Sequence, residues 1–208
     1  MKALFFDFGD VLVFYDHMRG CRALAEYTTK TPEEIYELIF ANKLEELHYN
    51  RGEYSDKEWY DTCVSKLELR DCPYDVFAEK WGAIFSPNDS IEQVLSSLKP
   101  GVELFVISNT NGLHWAWAQK NLPILSRYFP QQEQRILSCE EKSRKPELRI
   151  YENALARAGV EARDALLIDD KIENIRVFRE MGGNGIVYNA HSSRIADLIE
   201  ELKTYGYV

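Results

Sequence analysis

Three short runs in this chain, Ala3-Leu-Phe-Phe6, Phe105-Val-Ile107 and Leu166-Leu-Ile168, are apolar at every position, and each ends close to a polar group. A strand with one wet face alternates polar and apolar residues. Runs without alternation belong to strands covered on both faces, as in a parallel sheet between two layers of helices. The groups that end them are Asp7, Ser108-Asn109 and Asp169-Asp170. From Glu103 the pattern reads strand 103–108, helix 113–120, strand 135–138 and helix 146–158 closed by Gly159. It continues with strand 165–169, helix 172–181 stopped by Gly182-Gly183, strand 185–188 and helix 194–202. Such alternation predicts an α/β fold with a Rossmann-like, doubly wound parallel sheet.

Between the first run and the others the periodicity is helical. Thr31-Pro-Glu-Glu34 is a helix start, with Thr31 as N-cap, Pro32 at the first helical position and Glu34 closing a capping box. Ile35, Leu38, Ile39, Leu44 and Leu47 then read as one apolar face. Ser55 and Glu58 form a second capping box, and Val76, Phe77, Trp81 and Phe85 continue at helical spacing. The expected organisation is a discontinuous core of residues 1–14 and 88–208, with a block of roughly four helices inserted at 15–87.

The chain has 25 Lys and Arg against 34 Asp and Glu, a net charge of −9, which disfavours nucleic acid or an anionic membrane as partner. A phosphorylated small molecule needs only a local positive site and stays open. No apolar run reaches the ~18 residues of a membrane span, and the amino terminus enters a strand with no signal-peptide pattern. Cys21, Cys63, Cys72 and Cys139 lack zinc-like spacing and read as buried thiols in a reducing compartment. A cytoplasmic protein, monomeric or weakly dimeric, is the expectation.

In a parallel sheet, the carboxyl ends of the strands open on one edge, at which ligands bind. Asp7, Ser108-Asn109 and Asp169-Asp170 fall at such ends, and Lys145 precedes a helix that begins with Pro146. Carboxylates converging there suit a hard cation such as Mg²⁺. A hydroxyl, backbone N–H groups and a lysine suit a phosphate. An aspartate facing both can attack phosphorus and form an aspartyl-phosphate. Taken singly, each cluster is more often a turn, a surface lysine or a helix cap; it is their order and placement together that point to a site.

These residues resemble the motifs of the haloacid dehalogenase-like hydrolase superfamily: Asp7-Phe-Gly-Asp-Val11, Ser108-Asn109, Lys145-Pro146 and Asp169-Asp170, with a helical cap between the first two. Within it, Ser108-Asn-Thr-Asn111 with His114, Arg144-Lys-Pro-Glu147 and Asp169-Asp170 with Asn174 are similar to the bacterial α-D-glucose-1-phosphate phosphatase branch. The resemblance implies a Mg²⁺-dependent phosphatase of a small phosphorylated metabolite. Asp7 would be the nucleophile, and Asp7, the Gly9 carbonyl and Asp170 would hold the metal, with Asp169 as support or additional ligand. Ser108, the Asn109 N–H and Lys145 would bind the phosphoryl group. One position departs from most phosphatases of the superfamily, which carry a second aspartate two residues after the nucleophile to handle the leaving-group proton. Here that residue is Gly9, and Asp10 lies one position off, where its side chain is aimed elsewhere. The glucose-1-phosphate branch also has glycine there, and an anomeric leaving oxygen needs less protonation than an ordinary alcohol.

Two other readings compete. A metal-free 2-haloacid dehalogenase uses the same nucleophile on carbon, but gains nothing from two adjacent buried acids. A binding protein of the same fold would explain Gly9 but not the intact Asp7, Ser108, Lys145 and Asp170. His17, His48, His114 and His191 are isolated in the sequence; His114 has the best case for a role near the site. Tyr36, Tyr49, Trp59, Tyr60 and Trp81 read mostly as cap core, with one or two expected to close over a sugar together with His48 or Arg51. Trp115 and Trp117 cannot both face the core from one helix.

Overall fold

The apolar run at the amino terminus becomes the middle strand of a five-stranded parallel sheet. The computed structural model describes residues 2–208. In chain order the strands are β1 (Lys2–Phe6), β2 (Val13–Tyr15), β3 (Phe85–Pro87), β4 (Val102–Ser108), β5 (Arg135–Leu137), β6 (Ala165–Asp169) and β7 (Asn184–Val187). The sheet order is β5-β4-β1-β6-β7, and β2 and β3 form a separate antiparallel pair. The α/β reading of the sequence therefore holds, and the order reverses direction beside β1, where open sheets leave a crevice.

Both faces of β1 are buried, as its lack of alternation requires. Leu4 and Phe6 pack with Val106, Leu166 and Ile168 on one face. Ala3 and Phe5 pack with Phe105, Ile107 and Leu167 on the other. The helices following β3 are α6 (Glu92–Ser97), α7 (Gly112–Asn121), α8 (Pro123–Tyr128), α9 (Ser138–Glu141), α10 (Leu148–Ala158), α11 (Ile172–Glu180) and α12 (Ile195–Thr204) if the five of the inserted block are counted first. Val94 of α6, Trp115 of α7 and Leu198 and Leu202 of α12 cover the first face. Ile150 and Ala154 of α10 and Ile175 and Phe178 of α11 cover the second. Each fully buried Leu, Ile or Phe contributes about 1.5–3 kcal/mol relative to exposure, so this sheet is a stiff platform.

The inserted helices are α1 (His17–Leu24), α2 (Pro32–Tyr36), α3 (Leu44–Leu47), α4 (Asp56–Leu67) and α5 (Tyr74–Gly82). They pack around Cys21, Leu24, Ile35, Ile39, Trp59, Cys63, Phe77 and Trp81, with Leu113 as the contribution from α7. Both expected capping boxes form, at Thr31–Glu34 and Ser55–Glu58. Among the described residues no helix is long and apolar enough to cross a membrane.

Three local expectations fail, each for a physical reason. Phe85 does not continue a helix; it pairs with Tyr15 across β2–β3, a contact with a residue 70 positions away that no local period encodes. The apolar face read through Leu47 breaks because α2 runs into a π turn at Glu37–Ala41 and Lys43 adopts φ 55°. The extra residue per π turn and the left-handed step shift the phase, so Leu47 is exposed while Glu45 is buried. Pro146 does not open α10, because a turn closed by the Glu147 N–H on the Arg144 carbonyl (2.7 Å) intervenes and the helix begins at Leu148.

Candidate active site

At the carboxyl edge of the sheet, the structure brings together Asp7, Gly9, Ser108, Asn109, Lys145, Asp169 and Asp170. Asp7 follows β1 directly, and its N–H donates to the Ile168 carbonyl at 2.8 Å, which locks it beside the end of β6. Lys145 lies almost fully buried between two acids, its Nζ 2.8 Å from Asp7 Oδ1 and 2.6 Å from Asp169 Oδ2. The Asn109 side chain fixes the Lys145 backbone from both sides: Asn109 Nδ2 donates to the Lys145 carbonyl (2.9 Å) and the Lys145 N–H donates to Asn109 Oδ1 (2.8 Å). Asp169 Oδ1 accepts from the Lys171 N–H (2.9 Å) and from Asn174 Nδ2 (2.8 Å). Both oxygens of Asp169 are thus engaged, which makes it the anchor of Lys145. Ser108, the last residue of β4, is buried and lines the same cleft.

The charges do not balance within the protein. Asp7, Asp169 and Asp170 each offer a carboxylate oxygen, all within 4.8 Å of one another. Against them stands Lys145, the single buried cation among the described residues, which stays protonated because, against the burial that opposes its charge, Asp169 and Asp7 prevail. Burial, followed by the proximity of Asp169 and Asp170, pushes Asp7 up to about 7 despite Lys145. Burial and Asp169 also raise Asp170, and among the described residues no donor or cation pairs with the Asp170 carboxylate. Asp7 Oδ1 accepts from the Phe8 N–H (2.6 Å) and pairs with the Lys145 ammonium, leaving Oδ2 without a partner among the described residues. The Gly9 carbonyl is likewise outside the backbone hydrogen bonds that join Phe8 and Asp10 to Val13. Unpaired oxygens of this kind, from three residues, fit a hard divalent cation.

The model of the haloacid dehalogenase-like hydrolases matches residues 1–182, nearly the whole chain. The chain belongs to the haloacid dehalogenase-like hydrolase family. Solved structures share its fold. An enzyme of the family from Bacteroides thetaiotaomicron, in complex with magnesium and inorganic phosphate, is 24% identical with TM-score 0.76, over 95% of this chain and 98% of that one. A protein from Porphyromonas gingivalis described as a predicted HAD-like family hydrolase is 20% identical with TM-score 0.79, over 98% of each chain. A 2-haloacid dehalogenase from Pseudomonas syringae is 18% identical with TM-score 0.62, over 99% of this chain and 100% of that one. At these identities the likeness is one of fold.

The inserted helices form the far wall of the hydrolase's cleft, which encloses about 300 Å³. Tyr15, His17, Tyr36, Phe40, Glu45 and Asn50 line it from that side, and Arg144, Lys171 and His114 from the sheet side. His17 stacks on Phe40 at 4.1 Å between ring centroids, and Phe40 lies 5.4 Å from Tyr36. Burial lowers His17 to about 4 and drives His114 well below its ordinary value, so both rings are neutral near pH 7. Of the cap residues expected to close over a substrate, only Tyr36 reaches the cleft, and His114, expected near the site, lines it as well. His48 instead pairs with Glu53 (2.6 Å) and Arg51 with Glu147, while Tyr49, Trp59 and Trp81 fill the inserted core. Trp115 is buried, and Trp117 sits between α5 and α7 with its Nε1 donating to Glu79 at 2.9 Å.

The structure also explains Gly9. A Cβ at this position would lie 2.8 and 2.9 Å from the Tyr15 ring carbons Cδ1 and Cε1, so Tyr15 occupies the space that a side chain here would need. Asp10 cannot substitute: it has φ 56° and its Oδ1 meets His191 Nε2 at 3.0 Å, on a segment away from the cleft. Neither Glu45 nor His17 carried a sequence signal. Glu45 sits beside Glu46 in a run that reads as solvated, and only the shifted phase turns it inward.

Proposed function

We propose that this hydrolase is a Mg²⁺-dependent phosphatase of small phosphorylated metabolites that works through an aspartyl-phosphate on Asp7. The observation that carries the reading is the set of unpaired oxygens on Asp7, Gly9 and Asp170 beside a buried lysine. The magnesium and phosphate held by the Bacteroides enzyme of the same fold support it. Asp7, the Gly9 carbonyl and Asp170 would hold Mg²⁺, which when bound supplies positive charge against the carboxylates and the phosphoryl oxygens. Asp169 has no free oxygen and acts by holding Lys145.

Asp7 is pinned through Oδ1 by the Phe8 N–H and Lys145, so its carboxylate is held in place to attack phosphorus. Ser108, the Asn109 N–H and Lys145 bind the phosphoryl oxygens, and Lys145 offsets the charge that spreads onto them in the transition state. Because Asn109 clamps Lys145 through two hydrogen bonds, the donors keep their spacing without reorganising. The inserted block, residues 15–87, serves as the cap. It narrows the cleft and brings His17, Tyr36, Phe40 and Asn50 to the side facing Asp7, where the leaving group would lie. A stacked ring face with amide donors nearby suits a sugar, and a sugar phosphate such as glucose 1-phosphate is the substrate class favoured. The paired acids Asp169-Asp170 weigh against a metal-free dehalogenase.

The test is phosphate release from a panel of phosphorylated metabolites, with Mg²⁺ and after chelation, alongside halide release from 2-haloacids. Chelation is expected to abolish phosphate release, with no halide released. Phosphate release that survives chelation, or halide release without metal, would overturn the reading.

A further inference from the structure

The cleft contains an acid that the mechanism above does not use. Glu45 comes from α3 of the inserted block, is almost fully buried, and lines the same cleft as Asp7 and Lys145. Its Oε1 accepts from Asn111 Nδ2 at 2.8 Å. Asn111 is fully buried and lies three residues past Ser108, so the clamp on Glu45 belongs to the same segment as the phosphoryl-binding serine. The same Asn111 nitrogen also meets Asn50 Oδ1 (2.9 Å) and His114 Nδ1 (3.0 Å). Glu45 Oε2 has no partner within the described residues.

We propose that the Glu45 carboxyl is the proton donor and acceptor for the leaving group, supplied by the inserted block in place of the side chain missing at Gly9. This rests on the phosphatase reading. In the first step an Asp7 carboxylate oxygen bonds to phosphorus and the bond from phosphorus to the ester oxygen breaks. The electron pair goes to that oxygen, which takes the proton of Glu45. In the second step the Glu45 carboxylate takes a proton from water as the water oxygen bonds to phosphorus. The Asp7–phosphorus bond breaks with its electron pair returning to Asp7, so phosphate is released and ionised Asp7 and protonated Glu45 are restored.

The other titratable groups of the cleft are unsuited. Tyr15 fills the space above Gly9, but burial and nearby acids raise its phenol further above the neutral range, so it gives up its proton even less readily. His17 and His114 hold no excess proton near pH 7. For Glu46, burial alone would favour the acid form, but the hydrogen bond and charge of Arg144, 2.6 Å away, outweigh it and keep the group ionised. Glu45 differs because burial raises it to about 8, against the hydrogen bond from Asn111 and with help from Glu46. The groups in its field from other elements are His114 of α7 at 3.4 Å, Cys21 of α1, Cys63 of α4 and Tyr15 of β2, none of which offers it a cation. A carboxylic acid that is protonated near neutrality and can reclaim its proton is what the step needs.

The experiment compares Glu45→Gln with wild type on two esters, p-nitrophenyl phosphate and the best alkyl phosphate of the panel. Gln keeps the oxygen that accepts from Asn111, and thermal unfolding checks that the variant is folded. The variant is expected to lose roughly 10²–10⁴-fold in kcat on the alkyl ester, whose leaving oxygen needs a proton, and under ~10-fold on the aryl ester. Equal loss on both esters, or no loss on either, would overturn the assignment. If wild type hydrolyses neither ester, it is the phosphatase reading that fails. Independently of turnover, carbon-13 NMR of the metal-free protein should show the Glu45 carboxyl titrating above pH 7, and titration near the ordinary glutamate value would overturn the proposal.

Discussion

Replacing Lys145 by methionine removes the one buried cation from the acid cluster. The side chain is 1% exposed and touches Asp7 at 2.8 Å and Asp169 at 2.6 Å. Methionine preserves most of the volume, so the packing loss is small and the electrostatic loss dominates. Two carboxylates within 4.8 Å of each other repel by at least about 3.5 kcal/mol at an effective dielectric constant of ~20. Breaking a buried ion pair by deleting one partner costs about 3–5 kcal/mol. The expected destabilisation is therefore ~3–5 kcal/mol at about pH 8, read by urea unfolding in the presence of chelator. Asp7 is already raised to about 7 by burial, and losing Lys145 raises it further. An acid whose folded pKa lies above its unfolded value contributes stability below the unfolded value and loses it as pH rises through the folded one. The cost should accordingly shrink on going from about pH 8 to about pH 5, because the folded variant takes up a proton. A cost below ~1 kcal/mol at about pH 8, or one that grows on acidification, would refute a charged Lys145 bridging two acids.

Other outcomes follow from the same geometry. Gly9→Ala should destabilise by ~1–3 kcal/mol because its Cβ collides with the Tyr15 ring, and Tyr15→Ala should relieve most of that in a double-mutant cycle. Additive single effects would show that Tyr15 does not set the requirement for glycine. Glu45 is raised from 4.5 to about 8, so its contribution is present below about pH 4.5 and lost by about pH 8, with a slope of up to ~1.4 kcal/mol per pH unit. Chemical denaturation of the metal-free protein across that window should show stability falling with pH, and Glu45→Gln should flatten the fall.

The sheet was legible because a buried parallel strand cannot alternate, and Ala3–Phe6 and Leu166–Ile168 show this directly. The strand-end groups were legible for the same reason: Asp7 and Asp169 are anomalous at the end of apolar runs. Capping residues such as Thr31 and Ser55 act over three positions, and their helices begin where expected. What stayed hidden depends on distant or cumulative geometry. The wall of the cleft is set by a π turn at Glu37–Ala41 and a left-handed Lys43 that together rotate Glu45 inward. The need for glycine at position 9 comes from Tyr15, six residues on, folding back over it. His17 looked isolated because its partners, Phe40 and Trp81's neighbour His114, meet it only in three dimensions.

The most direct measurement is to quench a single turnover with acid in the presence of Mg²⁺ and a hydrolysed substrate, then map modified peptides by mass spectrometry. The expected result is one phosphoryl group on the peptide that contains Asp7, absent in Asp7→Asn, whose phosphate release is also abolished. Turnover by Asp7→Asn at the wild-type rate, or a phosphoryl group carried by any other residue, would contradict Asp7 as the nucleophile.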